Sequence, residues 1–137
     1  MFVAKQIRFP EMIKNRDIGI KGEELATDFL LKNGYRVYET NYRKPYGEID
    51  IVAKKDTVIH FIEVKTSKYY PGSAFSPEIR VNARKIRNLK RICEAYLRDV
   101  KAPDSQKWQI DVIAVILDGE GLRGINFIEN AVFERKY

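Results

Sequence analysis

The chain has 137 residues, a length that fits one domain, with a net charge of +6. Its 45% hydrophobic content supports one packed core, yet no apolar run approaches the roughly 20 residues of a membrane span, and residues 1–10 lack the sustained apolar segment and cleavage site of a signal peptide. Cys93 is the only cysteine, which excludes a disulfide framework and a cysteine-based zinc site and makes a cytoplasmic setting the simplest reading.

Residues 1–16 show no clear period and read as an irregular arm, leaving 17–137 as a single domain. Asp17 is a suitable N-cap for a helix running to about Asn33, with Leu25, Ala26, Phe29 and Leu30 as its apolar stripe and Gly34 as a left-handed cap. Tyr35 to Tyr42 reads as a strand, and Lys44-Pro45-Tyr46-Gly47 as a turn. Strands follow at Glu48 to Ala53 and Thr57 to Lys65, joined by a turn at Lys54-Lys55-Asp56. Ser67 to Pro77 reads as a loop. A second helix is predicted from Pro77 to Asp99, with Ile86, Leu89, Cys93, Tyr96 and Val100 on its apolar side. After a polar linker, strands are predicted at Trp108 to Leu117 and Arg123 to Ile128. Hairpins at each end, with a crossover helix between them, imply a mixed sheet with helices packed on it.

Charge is concentrated in two places. Between Arg80 and Arg91 stand Arg80, Arg84, Lys85, Arg87, Lys90 and Arg91, with no acid among them. Such a face either engages a polyanion, most often nucleic acid, or is simply solvated. The second place is the pair of apolar segments Gly47-Glu48-Ile49-Asp50-Ile51-Val52 and Phe61-Ile62-Glu63-Val64-Lys65. An unpaired charge buried in such a segment costs several kcal/mol unless an ion pair or a metal compensates it. Glu63 and Lys65 are two residues apart and share a face, and the hairpin brings Asp50 near Glu63. Two carboxylates held together raise each other's pKa unless a cation lies between them, and magnesium or manganese would supply it. The competing readings are an exposed Asp50 and a plain Glu63–Lys65 salt bridge. Glu23 borders the apolar stripe of the first helix; it either joins the acids or only complements the helix dipole. His60, the lone histidine, alternates with apolar neighbours and reads chiefly as a packed structural residue.

Asp50 followed by Glu63-Val64-Lys65 resembles the motif of the PD-(D/E)XK nuclease superfamily, which includes restriction enzymes and Holliday-junction resolvases. More closely, the chain resembles the YraN-like family of uncharacterised bacterial proteins. The resemblance is carried by Gly19-x-x-Gly22-Glu23-x-x-Ala26, Gly34-Tyr35, Asn41-Tyr42-Arg43, Gly47 to Val52, Phe61 to Thr66, Lys85, Tyr96-Leu97, Asp111-Val112-Ile113 and Asn130-Ala131. Gln109, Ile110 and Ser67 depart from the family pattern.

The resemblance implies an α/β fold of restriction-endonuclease-like type, a mixed central sheet flanked by helices, with a metal site where the central strands part. Asp50 and Glu63 would be ligands for Mg2+ or Mn2+, with the backbone carbonyl of Val64 as a further oxygen. Lys65 would position or activate the attacking water, and Glu23 would be the additional helix acid. Arg80, Arg84, Lys85, Arg87 and Arg91 would contact DNA phosphates, with structure recognised more than sequence. The expected function is that of a metal-dependent endonuclease acting on phosphodiester bonds of branched or single-stranded DNA. The alternative is a non-catalytic DNA-binding module that keeps the fold. Tyr69 and Tyr70 would either stack on exposed bases or close over the sheet. Branched DNA would favour a homodimer, although no surface in the sequence declares itself an interface. No membrane partner is expected.

Overall fold

The structure, a computed structural model, describes residues 15–71, 83–119 and 121–131. The elements in order are α1 (Asn15–Lys32), β1 (Arg36–Lys44), β2 (Gly47–Lys55), β3 (Val58–Lys68), α2 (Ala83–Asp99), β4 (Lys107–Asp118) and β5 (Gly121–Ile128). Residues 1–14 of the expected arm, and Arg80, lie outside the described residues. Helix α1 already includes Asn15, which puts Asp17 in its first turn instead of at its cap.

The five strands form one sheet in the order β1-β2-β3-β4-β5. Neighbours are antiparallel except β3 and β4, which run parallel and are separated in the chain by α2. A parallel pair needs such a crossover, whereas the antiparallel pairs close through short turns. The β2–β3 turn is tighter than expected. Lys55 pairs with Val58, so Lys54 and Lys55 belong to the strand and Asp56 takes the left-handed conformation at φ 56°. Strand β3 also runs on through Ser67 and Lys68, because β4 offers Ile116 and Leu117 as partners there. The expected loop therefore begins later than Ser67.

Among the described residues, each face of the sheet carries one helix. Ala26 and Leu30 of α1 pack on Ile51, Ala53, Ile62, Ile113 and Val115. Ile92, Cys93 and Tyr96 of α2 pack on Tyr42, Val52, Ile59, Phe61 and Ile110. Ile92, not among the spaced apolar positions, is fully buried, whereas Val100, which was, lies beyond the helix end and is exposed. Helix α1 stops in a Schellman arrangement: the Tyr35 amide donates to Leu30 O, the Gly34 amide to Leu31 O, and Gly34 has φ 86°. Near the middle of α1, Gly22 is buried against Thr66 of β3, and any side chain at Gly22 would overlap the Thr66 hydroxyl. That close approach sets the helix down on the sheet beside the point where β2 and β3 separate.

Inward alternation along β2 breaks at Asp50. Ile49 belongs to the α2-side core, while Ile51, two residues on, belongs to the α1-side core. Pairing between β2 and β3 begins only at Ile51 with Ile62, so Asp50 stands where the two strands part. Across from it, between the Thr40–Ile51 and Tyr42–Ile49 pairs of β1 and β2, Asn41 adopts φ 54°. Asparagine tolerates this conformation better than most residues.

Candidate metal and nucleic-acid site

The gap between β2 and β3 places charged side chains from five elements together. Asp50 accepts a hydrogen bond from the Val64 amide at 2.8 Å, which ties the two strands together across the gap. Carboxylate oxygens of Glu23 from α1, Glu48 from β2 and Asp50 lie within 4.8 Å of one another. Asn41, with its amide turned to donate, reaches Glu23 Oε1 at 3.3 Å and Glu48 Oε2 at 3.1 Å. Arg43 holds Glu48 Oε1 from the other side at 3.1 Å.

Glu63 points to the α2 side, as Ile59 and Phe61 do. A single oxygen, Oε2, meets Lys65 Nζ at 2.9 Å and Lys85 Nζ at 3.0 Å. The acids thus divide into two groups: Glu23, Glu48 and Asp50 form one, and Glu63 sits with two ammoniums. A cleft of about 500 Å³ opens over them, lined by Tyr46, Glu48, Asp50, Glu63, Arg84 and Lys85 among others. A second cleft of about 480 Å³ lies beside Glu23, Val64, Thr66, Lys68 and Tyr70.

The electrostatics of the two groups differ in sign. Burial pushes the Asp50 carboxyl up to about 7; the Val64 amide opposes this, and Glu23, Glu48 and Glu63 add to it. Mutual repulsion was the expected cause, but burial is the larger one. For Glu63, burial also acts upward, but Lys65 and Lys85 outweigh it and hold the carboxyl below the ordinary range. Burial raises Glu23 while Asn41 works against it. Burial works to lower Lys65, but Glu63 more than offsets this and leaves it above its usual value.

Of the sequence-selected residues, Glu23, Asp50, Glu63, Lys65 and Lys85 converge on the gap. Val64 contributes its backbone amide, bonded to Asp50. Arg84 rims the main cleft. Arg87 is exposed on α2, and Arg91 stacks on the Tyr46 ring at 3.9 Å from its centroid. Tyr69 is committed to the sheet, with its amide donating to Leu117 O at 2.7 Å and Arg123 lying over its ring. Tyr70 is 61% exposed and lines the second cleft.

Glu48 and Asn41 were not selected from the sequence. For Glu48 the signal was present: two residues from Asp50 in one strand, it shares that residue's face. For Asn41 the decisive property is a backbone conformation that the sequence does not display.

A second group, His60, Asp111 and Glu129, also brings possible ligand atoms within 4.8 Å. Its buried carboxylate is already engaged. Asp111 Oδ2 pairs with His60 Nδ1 at 2.5 Å, and Oδ1 accepts from Gln109 Nε2 at 2.8 Å and the Asn130 amide at 2.7 Å. This is a brace between β3, β4 and the end of β5.

A five-stranded mixed sheet with a helix on each face and acids at the parting of β2 and β3 is a restriction-endonuclease-like α/β fold. The chain belongs to the uncharacterised protein family UPF0102, whose pattern matches residues 22–115. It is similar to UPF0102 proteins of Caldicellulosiruptor bescii, 38% identical over 117 residues that cover 85% of this chain and 97% of the other. The likeness to the UPF0102 protein of Syntrophomonas wolfei is 41% over 120 residues, covering 85% and 98%. Among the described residues no helix is long and apolar enough to cross a membrane.

Proposed function

We propose that the protein is a divalent-metal-dependent phosphodiesterase acting on DNA, an endonuclease of structured or single-stranded substrates. The observation that carries this reading is the set of carboxylate oxygens from Glu23, Glu48 and Asp50 within 4.8 Å of one another, with Glu48 and Asp50 lining the same cleft as Arg84 and Lys85. The donor set fits magnesium or manganese: it consists of oxygens, with no thiolate or imidazole, and its excess negative charge calls for a cation. Asp50 and Glu63 would hold the ion with the Val64 carbonyl, Glu63 turning to it from its lysine pairs, and Glu23 and Glu48, whose oxygens lie within 4.8 Å of Asp50, would complete or orient the set. The chemistry such an ion supplies is neutralisation of charge on the phosphoryl oxygens and acidification of water.

The chain's own residues would do the remainder. Lys65 is held as an ammonium by Glu63, so its part is to offset developing charge and orient the nucleophile, not to accept a proton. Arg84 and Lys85 would receive phosphates at the mouth of the cleft, and the exposed Arg87 would extend that contact along α2. A non-catalytic DNA-binding module is the second reading. It is favoured by the ion pairs of Glu63, whose Oε2 is already engaged by both Lys65 and Lys85.

The test is metal-dependent cleavage of a panel of branched, flapped and single-stranded DNAs, with metal affinity and melting temperature measured on the same samples. Lys65→Ala is expected to abolish cleavage, a loss of about 2–4 kcal/mol of transition-state stabilisation or more, while metal affinity stays within a few-fold. Asp50→Asn and Glu63→Gln are expected to lose metal binding. A parent protein that binds DNA and metal but cuts nothing in the panel would leave the non-catalytic reading in its place.

A further inference from the structure

The geometry points to Lys85 as an exchangeable counter-ion that couples metal binding to DNA binding. The inference rests on the metal-dependent reading above and deepens it. Glu63 presents one oxygen to two ammoniums, Lys65 from its own strand and Lys85 from α2. A single carboxylate cannot neutralise two cations, and a dication arriving beside it meets both of them. Lys65 stands two residues away on the same strand as Glu63. Lys85 has another place to go, because it lines the same cleft as Arg84 and Asn88.

The helix itself need not move for this exchange. Ile92, Cys93 and Tyr96 anchor α2 in the core, while a lysine stem has enough rotatable bonds to carry its charge several ångströms. A DNA phosphate entering the cleft offers Lys85 a negative charge equivalent to that of Glu63. When Lys85 turns to the phosphate, Glu63 is left with one cation instead of two, and its carboxylate becomes a better ligand. DNA therefore strengthens metal binding, and by linkage the metal strengthens DNA binding by the same factor. Without DNA, Lys85 occupies the place of the second positive charge and keeps the site weakly loaded. Glu63 is thus fully available to the metal only around substrate, while Glu23, Glu48 and Asp50 stand together already.

The experiment measures calcium affinity by calorimetry, with and without a saturating short branched DNA. Calcium is an oxygen-seeking dication suited to carboxylates, and a gel confirms that the DNA stays intact. The parent protein is expected to bind calcium about tenfold more tightly with DNA present, within the usual range of coupling between sites. Lys85→Gln should bind calcium several-fold more tightly than the parent without DNA, and DNA should then add little. Lys85→Arg keeps the cation and should retain the coupling, which separates loss of charge from damage to the helix. Equal DNA enhancement in the parent and Lys85→Gln overturns the inference, as does unchanged calcium affinity of Lys85→Gln without DNA. Asp50→Asn serves as the separate control. If it binds calcium as the parent does, the metal-site reading itself has failed, whatever Lys85 does.

Discussion

Asp50 and Asp111 look alike in the sequence, each a carboxylate flanked by apolar β residues, but their surroundings separate them. Asp111 meets three donors, while Asp50 meets one backbone amide and three acids. The Asp50 carboxyl ionises near pH 7 in the folded protein and near its ordinary 3.8 when unfolded. The native state therefore holds the proton longer, and stability without metal falls as pH rises from about 4 to about 7. At pH 8 the ionised group weakens the fold by something on the order of 3 kcal/mol. Glu63 acts in the opposite sense, since its lowered pKa contributes stability that is lost only below the ordinary range near 4.5. Thermal melts in chelator across pH 4–8 should show the parent losing stability over that window and Asp50→Asn losing much less, with a higher melting temperature at pH 8. A parallel pH dependence of both proteins would mean that Asp50 is not held out of water. Asp50, Glu63 and Lys65 were legible because charge in an apolar strand demands a partner. The Glu63–Lys65 bridge was legible too, from their spacing, but the further partners were not, since Lys85 reaches Glu63 from a separate helix and Asn41 reaches the acids through a left-handed backbone.

At the scale of the element, α2 divides its circumference between an oily side and a basic one. The oily side is buried by Ile92, Cys93 and Tyr96, and its spacing made the helix recognisable. The basic side was read as one uniform face, but its members have different surroundings. Arg84 stands at the cleft, Arg87 is exposed, and Arg91 is stacked on Tyr46. Arg84 and Arg87 are therefore the pair to change. Each phosphate contact contributes about 0.9 to the log–log salt dependence of DNA affinity, so Arg84→Ala with Arg87→Ala should flatten that slope by about one to two. Fluorescence anisotropy at several salt concentrations measures it. A slope unaffected by the double change would move the DNA off this helix.

At the scale of the whole molecule, the sheet is two antiparallel units, β1-β2-β3 and β4-β5, joined by the single parallel contact of β3 with β4. The local hairpins were readable from turn residues and alternation, whereas the order of joining rested on the handedness and length of the crossover. Asp111 lies at that join, fully buried, and holds His60 of β3 and the Asn130 amide beyond β5. Leaving a buried donor without its acceptor costs on the order of 1–3 kcal/mol, and Asp111 serves more than one such group. Asp111→Ala should show a loss of that scale in urea unfolding. A change below about 1 kcal/mol would mean that the brace carries no more than an ordinary hydrogen bond.

The charged groups at the gap also come from different stretches of chain. Glu23, Asn41, Glu48, Asp50, Glu63 and Lys65 lie in α1 and the first three strands, while Arg84 and Lys85 come from the helix that follows. Lys85 ties the rim to the acid centre through Glu63, so it is the outer part of the rim, at Arg84 and Arg87, that can diverge apart from the carboxylates. On the proposed DNA-processing reading, substitutions at Arg84 and Arg87 would retune which nucleic-acid shapes are accepted while leaving every carboxylate in place, a route to new substrates without rebuilding the centre.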